Sequence, residues 1–246
     1  MIERLEGIVT DLVKHNDTHN VVTLFTRTRG RMAFLVPVGK SKSGKMRNAL
    51  LSLMAVVGAS VNIKGDKELY SLRMVEPVKI WHSIYSNPLK SSLIFFLAEF
   101  CNRLLRQYPA DARMWDFIVD SLQVLNDIPS SRVANFHIAF MAQMLNPAGI
   151  APSIERYEEG DRFDILSGEM VAAAAHDFSR RRLLLSEDES RAAVKLQRIN
   201  YSNMHRYRFT RAERQQTLDR LIDYYSAHLS LSRDFKSLSI LRSLFS

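Results

Sequence analysis

Residues 39–46 come closest to a catalytic motif. They read Gly-Lys-Ser-Lys-Ser-Gly-Lys-Met, which differs in its last residue from the phosphate-binding loop GxxxxGK[ST]. Met46 has no hydroxyl to hold magnesium, and no buried run that ends in Asp supplies a second magnesium ligand. The residues that follow, 50–57, predict a strand, whereas this motif must open a helix whose N-terminus faces the phosphates. We therefore do not expect nucleotide hydrolysis at this segment.

Metal binding and nucleophilic catalysis have weaker candidates. His15 and His19 are four residues apart, but they lie in a predicted turn with no third ligand nearby. His137 lies on the apolar face of a predicted helix and is expected in the core. The single cysteine, Cys101, allows no internal disulfide or Cys-rich zinc site, and its apolar helix predicts an inert thiol. We expect no catalytic residue, no metal and no cofactor, and hence no enzyme.

The strongest candidate site is a basic stretch with no acidic residue in its 21 positions, from Arg27 to Arg47. Its basic residues are Arg27, Arg29, Arg31, Lys40, Lys42, Lys45 and Arg47. Arginines at strand ends can donate two hydrogen bonds to a phosphate or stack on bases, and the small residues of 39–45 predict a mobile loop. The alternative is a solvated charge run that protects an edge strand from aggregation. Because no acid interrupts the stretch, we favour contact with DNA.

Positive charge is concentrated at the two ends of the chain, whose net charge is +8. Residues 1–80 hold 13 Lys and Arg against 7 Asp and Glu, residues 81–190 hold 10 against 15, and residues 191–246 hold 11 against 4. Such segregation favours a polyanionic partner over an evenly solubilised surface. Weaker basic clusters are Arg180–Arg182 and the group Arg198, Arg206, Arg208, Arg211 and Arg214, interleaved with Tyr201, Tyr207 and Phe209. They could extend a DNA track, bind an acidic peptide or form solvated helix faces.

The first 80 residues predict five strands that position the basic stretch. The predicted strands are 5–13, 21–26, 32–38, 49–63 and 69–80, with a hairpin at Arg29-Gly30 and Pro37 at a strand end or edge. Gly58 suggests a bulge or bend in the fourth. Five strands with a bent middle strand fit an OB-type barrel, but the pattern alone does not separate it from an SH3-like barrel.

From residue 87 onward the apolar period becomes that of helices. Asn87-Pro88 and Asp111 begin two helices, Ser131 begins a third that ends at Asn146-Pro147, and residues 147–168 predict an irregular connection. Capping boxes at 186–189 and 210–213 begin two more helices, and a short one covers 235–244. We expect an α+β protein with a barrel domain over 1–80 and a helical domain over 81–246.

The chain shows no apolar run of the about 18 residues that a membrane span needs, and no signal-peptide core at its start. The single thiol suits a reducing compartment. We therefore expect a soluble cytoplasmic protein.

Short motifs at both ends resemble the RecO family of bacterial DNA repair proteins. Near the start these are Glu6-Gly7-Ile8-Val9 and an LxTxxxGR-like hairpin over residues 24–31. Near the end they are Tyr224-Tyr225, His228-Leu229 and Lys236-Ser237-Leu238. The resemblance implies an OB barrel with a basic hairpin and loop, followed by a helical domain that engages partners.

The same resemblance implies a recombination mediator. Such proteins bind single- and double-stranded DNA, anneal complementary strands and, with RecR, help RecA to replace the single-strand DNA-binding protein, SSB. The acidic C-terminal tail of SSB is among the partners of the helical domain. A nucleoid-associated location in the bacterial cytoplasm follows from that role. The alternative is an adaptor that binds acidic peptides, for which contact with DNA is incidental.

One segment departs from the family pattern. Many members carry four zinc-binding cysteines after the third helix, but here residues 157–160 and 172–175 contain none. We therefore expect a member without the family's zinc site, whose fold is otherwise the same.

Overall fold

The computed structural model describes residues 2–39, 41–63, 65, 67–154, 156–174 and 183–244. They form two compact units, one of residues 1–130 with 235–244 and one of residues 131–234. This division groups the first helices and the last one with the barrel, whereas the sequence predicted domains of 1–80 and 81–246. The division into domains of 1–80 and 81–246 stays a prediction. Within the described ranges, no helix is long and apolar enough to cross a membrane.

The first unit contains a closed OB-type barrel, as predicted. Its described strands are β1 (Ile2–Lys14), β2 (His19–Thr26), β3 (Gly30–Pro37), β4 (Val56–Asn62) and β5 (Tyr70–Lys79), in the order β1-β2-β3-β5-β4. All neighbours are antiparallel except β3 and β5, which pair at Phe34 with Tyr70 and at Leu35 with Ser71. Gly30 has a φ of 66° at the end of the β2–β3 turn, a left-handed conformation that favours glycine.

Alternating side chains of the strands fill the barrel. On β2 and β3 the inward residues are Val22, Leu24, Met32, Phe34 and Val36. The outward residues Thr23 and Phe25 are also buried, at 3% and 0% exposure. Part of the barrel's outer surface is therefore covered.

Segment 39–55 differs from its prediction as a loop and a strand. Helix α1 (Lys42–Leu50) begins after Ser41, whose hydroxyl accepts a hydrogen bond from Gly44 N at 3.2 Å. A turn then leads to β4 at Val56. The prediction was wrong because α1 is polar and contains a glycine, so it lacks the apolar period of a helix. The barrel register shifts on either side of Gly58, between Val56 and Val57 and between Ser60 and Val61, rather than at Gly58 itself.

Four further helices complete the first unit. They are α2 (His82–Ser86), which the sequence did not predict, α3 (Pro88–Leu104), α4 (Ala112–Asp127) and, at the other end of the chain, α8 (Leu238–Leu244). Asn87 and Asp111 cap α3 and α4 as predicted, each accepting hydrogen bonds from the first turn. Helix α3 lies on β1, where the Asn102 amide donates to the Asp11 carboxylate at 3.1 Å.

The segment that leads into α8 is bound to α3. The ring of Phe235 lies 5.8 Å from that of Phe96 and 6.3 Å from that of Phe100. Glu99 accepts hydrogen bonds from the backbone N–H and the hydroxyl of Ser237, at 2.9 and 2.6 Å. These bonds lower the pKa of Glu99 although burial raises it. Residues 235–244 are thus part of the first unit's packing.

The second unit is mostly helical. Its elements are α5 (Phe136–Met144), β6 (Arg162–Asp164), β7 (Glu169–Val171), α6 (Glu187–Leu196) and α7 (Arg211–Leu229). The two predicted capping boxes are present, at Ser186 with Glu189 and at Thr210 with Glu213. The helix predicted from Ser131 begins at Phe136, after a short 3-10 turn.

A short antiparallel hairpin, β6–β7, forms in and after the connection that the sequence predicted to be irregular. The buried carboxylate of Asp161 joins the segments on its two sides. It accepts hydrogen bonds from Glu158 N at 2.9 Å and from Ala173 N at 3.0 Å. These are the segments in which the family resemblance places its two cysteine pairs. A carboxylate here links the two segments through their backbone amides.

Candidate nucleic-acid interface

Arg27, in the β2–β3 turn, is already occupied by contacts to α4. Its guanidinium forms an ion pair of 3.1 Å with Asp116, and its central carbon lies 5.1 Å from the centre of the Trp115 ring. An arginine above an indole face gains cation–π attraction as well as the ion pair. To bind a phosphate, Arg27 must first leave these partners.

Arg29, at the same turn, is bound by both carboxylate oxygens of Glu3 on β1. Arg29 Nε donates to both carboxylate oxygens at 3.1 Å, and Arg29 Nη2 donates to Oε2 at 2.7 Å. This hydrogen bonding lowers the pKa of Glu3, against a smaller opposing effect of burial. The charge of Arg29 is therefore compensated within the barrel.

Arg31 lies on the exposed outer face of β3 and has a positive neighbour that the sequence did not reveal. Partial burial lowers the pKa of Arg31, the charge of Arg106 lowers it further, and the carboxylate of Asp11 opposes both. Arg106 follows α3 and is also exposed. Arg31 therefore lies near a second guanidinium, whose effect the Asp11 carboxylate partly offsets. No spacing in the sequence could indicate a pair 75 positions apart.

Helix α1 carries the other basic residues of the stretch. Lys42 and Lys45 are exposed, and neither forms an ion pair with any residue that the structure describes. Arg47 is half-buried, and its Nη2 donates to the carbonyl of Pro37 at 2.8 Å, which ties α1 to the end of β3. Lys40 lies outside the described residues. Among the described residues of the basic stretch, Lys42 and Lys45 are thus the charges available at this end of the barrel.

The structure separates these residues into two groups at opposite ends of β3. Arg27, Arg29 and Arg31 lie at its start, where the turn is, and α1 follows its last residue, Pro37. Seven residue steps along a strand span roughly 23 Å. The stretch that is continuous in sequence therefore forms two separate basic surfaces on the barrel.

The near-match to a phosphate-binding loop does not form that site's geometry. A helix does follow it, contrary to the predicted strand, but α1 begins at Lys42, ahead of Gly44 and Lys45. The backbones of Gly39 and Gly44 touch: a Cβ on Gly39 would lie 2.2 Å from the Gly44 carbonyl carbon. The space that a phosphate would need between the two glycines is filled by backbone.

The remaining single-residue candidates have structural surroundings. His19 Nδ1 lies 2.9 Å from the Thr18 hydroxyl, within the β1–β2 turn. His137 is 1% exposed, and burial together with the charge of Arg214 lowers its pKa to about 3. Cys101 is buried, which raises the pKa of its thiol. Among the described ranges, no three His, Cys, Asp or Glu side chains come together as metal ligands. A protein without zinc stays a prediction.

The second unit carries basic residues between α6 and α7. Arg198, Arg206 and Arg208 are exposed there. Arg214 instead has a structural role, because its Nε donates to Asn135 Oδ1 and its Nη2 to the Phe209 carbonyl, both at 3.1 Å. The cluster Arg180–Arg182 lies outside the described residues.

An apolar cavity of about 250 Å³ lies within the second unit. Its walls include Leu145, Ile154, Phe163, Leu196, Leu221 and Tyr224. Arg220 is the charged residue of the lining, and it is held by Glu189 at 2.8 Å and by Asp223 at 3.0 Å. No pattern in the sequence indicates this cavity, because its walls come from four separate segments of the chain.

Comparisons with known proteins cover the whole chain. The family model described as "Recombination protein O N terminal" matches residues 1–81, and "Recombination protein O C terminal" matches residues 85–239. The DNA repair protein RecO of Bacteroides fragilis is 30% identical over 245 residues and covers 100% of both chains. Proteins of the same name from Phocaeicola vulgatus and Porphyromonas gingivalis are each 31% identical, over 246 and 255 residues, again with full coverage.

Proposed function

Because the chain belongs to the RecO family of DNA repair proteins, we propose that it binds single- and double-stranded DNA and anneals complementary strands. In this proposal it acts by binding and performs no bond-making catalysis. With RecR, it helps to load RecA onto DNA covered by SSB. Its place of action is the nucleoid of the bacterial cytoplasm.

The observation that carries this proposal is the exposed charge of Lys42 and Lys45 on α1, which no carboxylate of the described residues compensates. A lysine without a carboxylate partner can neutralise a phosphate without first breaking an ion pair, and it releases the counterion held there. Arg31 with Arg106 offers a second point of contact on the barrel. Arg27 and Arg29 can join only after their carboxylates release them.

Neutralisation also explains annealing. Two complementary strands repel each other through their phosphates, and bound cations reduce that repulsion so that bases can pair. Each neutralised phosphate contributes about −0.7 to the slope of log affinity against log salt for a single strand. About five contacts would produce a slope near −3.5.

The direct test replaces Lys42 and Lys45 with Gln and measures single-strand affinity over a range of KCl concentrations. Loss of two contacts should reduce the slope by about 1.4 and weaken binding about tenfold near physiological salt. The rate at which two complementary oligonucleotides anneal should fall together with the affinity. The control is K79Q/K236Q, which removes the same charge from two exposed lysines of the same unit. Unchanged affinity in K42Q/K45Q, or an equal loss in the control, would contradict the proposed site.

A second candidate function is that of an adaptor for acidic peptides, and the cavity of the second unit favours it. An apolar pocket suits the hydrophobic residue of a peptide such as the acidic tail of SSB, and Arg220 can bind the peptide's carboxylates only after Glu189 and Asp223 release it. The same titrations with an SSB-tail peptide separate the two functions. Tight peptide binding with negligible DNA binding at physiological salt would establish the adaptor instead.

A further inference from the structure

The connection between α6 and α7, residues 197–210, carries charge that the proposed barrel site does not use. It lies in a stretch with no acidic residue between Glu189 and Glu213. Arg198, Arg206 and Arg208 are exposed and form no ion pair within the described part of the chain. Their charge is therefore available to an external anion.

The backbone of this connection is held in place by side-chain amides. Asn135 Nδ2 donates to the Met204 carbonyl at 2.9 Å and to the Tyr207 carbonyl at 2.7 Å. Asn203 Nδ2 donates to the Arg198 carbonyl at 2.8 Å. Because the backbone is fixed at several points, an anion that binds the arginines does not have to order the segment first.

A further contact joins the two ends of the connection. The Tyr207 hydroxyl donates to the Lys195 carbonyl at 2.9 Å, which joins the end of α6 to the segment that leads into α7. Burial raises the pKa of Tyr207, and the charge of Arg198 opposes that rise, so Arg198 lies near the same hydroxyl. Arg206 and Arg208 flank Tyr207 in sequence. Arg198 thus lies near a tyrosine whose two chain neighbours are the other arginines.

We propose that Arg198, Arg206 and Arg208 bind the phosphate backbone of DNA, as a second contact surface on the second unit. The inference rests on the proposed function, because it assigns the same ligand to a further site. A guanidinium offers paired N–H donors that match two phosphate oxygens, so three of them make a strong phosphate surface.

The surroundings of the arginines favour nucleic acid over an acidic peptide. Ile199 and Met204 of the connection are 3% and 1% exposed and offer no anchor to a peptide side chain. The half-buried Phe209 packs on Tyr207, with 5.8 Å between the ring centroids. None of the three arginines lines the cavity of the second unit. A positively charged surface that has no apolar pocket binds ligands of high negative charge density. The DNA backbone is such a ligand, because it carries a phosphate at every nucleotide.

Two tyrosines of the connection are held by contacts within the second unit and are not available to stack on bases. The Tyr201 ring stacks on Phe136 with 5.1 Å between centroids, and the Tyr207 hydroxyl is bound to a carbonyl. Contact through phosphates alone predicts that this surface binds duplex and single strands, without the stacking that selects single strands. A chain with a phosphate surface on each unit can hold two strands at once, as annealing requires.

The test compares R198Q/R206Q/R208Q with the control R132Q/R156Q/K236Q, which removes three exposed positive charges that form no ion pair within the described part of the chain. Fluorescent 30-nucleotide single strands and duplexes are titrated over a series of KCl concentrations. Loss of three contacts should reduce the slope by about 2 for single strands and about 3 for duplexes. The control should keep the wild-type slope, and both variants should keep the wild-type thermal unfolding.

The possible failures are distinguishable. If wild type binds with a clear salt slope and R198Q/R206Q/R208Q keeps that slope, or if the control loses it equally, the inference is overturned while the proposed function stands. If the triple variant loses only its affinity for an SSB-tail peptide, the surface is a peptide site and the inference is overturned. If K42Q/K45Q binds as wild type does while the triple variant loses its slope, the inference stands and the barrel site fails.

Discussion

The two ends of β3 carry similar sequence charge but differ in how much of it is available. At the β2–β3 turn, Arg27 and Arg29 are paired with Asp116 and Glu3. At α1, Lys42 and Lys45 have no carboxylate partner among the described residues. The first pair of cations stabilises the fold, and the second pair is available for a ligand. A run of positive residues therefore predicts a binding site only after its tertiary partners are known.

The largest expected difference between the two ends is in stability. R27Q/R29Q should lower the free energy of unfolding by about 2 kcal/mol, because it removes a cation–π contact and two ion pairs. K42Q/K45Q should change it by less than about 0.5 kcal/mol, because these side chains make no such contact. Urea denaturation of both variants measures the difference. Equal effects on stability would remove the distinction between the two ends.

The next effect should be a gain of DNA affinity at the β2–β3 turn. D116N removes the carboxylate that competes for Arg27, so one more phosphate contact becomes available and affinity should rise about three- to fivefold. The measurement is a single-strand titration at fixed salt. D120N, one helical turn further along α4 at an exposed position, controls for the loss of negative charge alone. An equal gain in D120N would show that Arg27 is not the group released.

The smallest effect concerns the dependence of the Arg29–Glu3 pair on pH. The folded protein lowers the pKa of Glu3 below its ordinary value of 4.5, so the pair stabilises the fold fully above that pH and less as the pH falls through the lowered pKa. E3Q should therefore be less stable than wild type at pH 7, by at most about 1 kcal/mol, and the gap should narrow in acid. Urea midpoints between pH 3 and 7 measure it, with E6Q as control. If the difference in stability between E3Q and wild type stayed constant over this pH range, the pH dependence would not come from the Arg29–Glu3 pair.

The sequence predicted features that depend on local pattern. The alternation that places Val22, Leu24 and Phe34 inside the barrel is visible in the chain, as are the capping boxes at Ser186 and Thr210. Helix α1 was missed because Lys42–Leu50 is polar. It is stabilised by a cap, by the contact of Gly39 with Gly44 and by the bond of Arg47 to the end of β3.

The candidate site was predictable only in part, because compensation of charge is a tertiary property. Asp116 lies 89 positions from Arg27, and Arg106 lies 75 positions from Arg31. Neither spacing belongs to a motif, so no pattern of residue types indicates which cations are paired. The basic stretch could be identified in the sequence. Its division into two surfaces could not, because it depends on the length of β3 in the structure.

The return of residues 235–244 to the first unit affects the order in which the protein can fold during synthesis. The ribosome makes all of residues 131–234 between the end of α4 and Phe235, which takes roughly 5–20 s at ordinary translation rates. For that time the nascent barrel unit lacks the ring that covers Phe96 and Phe100, and Glu99 lacks the amide of Ser237. The N-terminal unit therefore reaches its final packing only after the second unit has been translated.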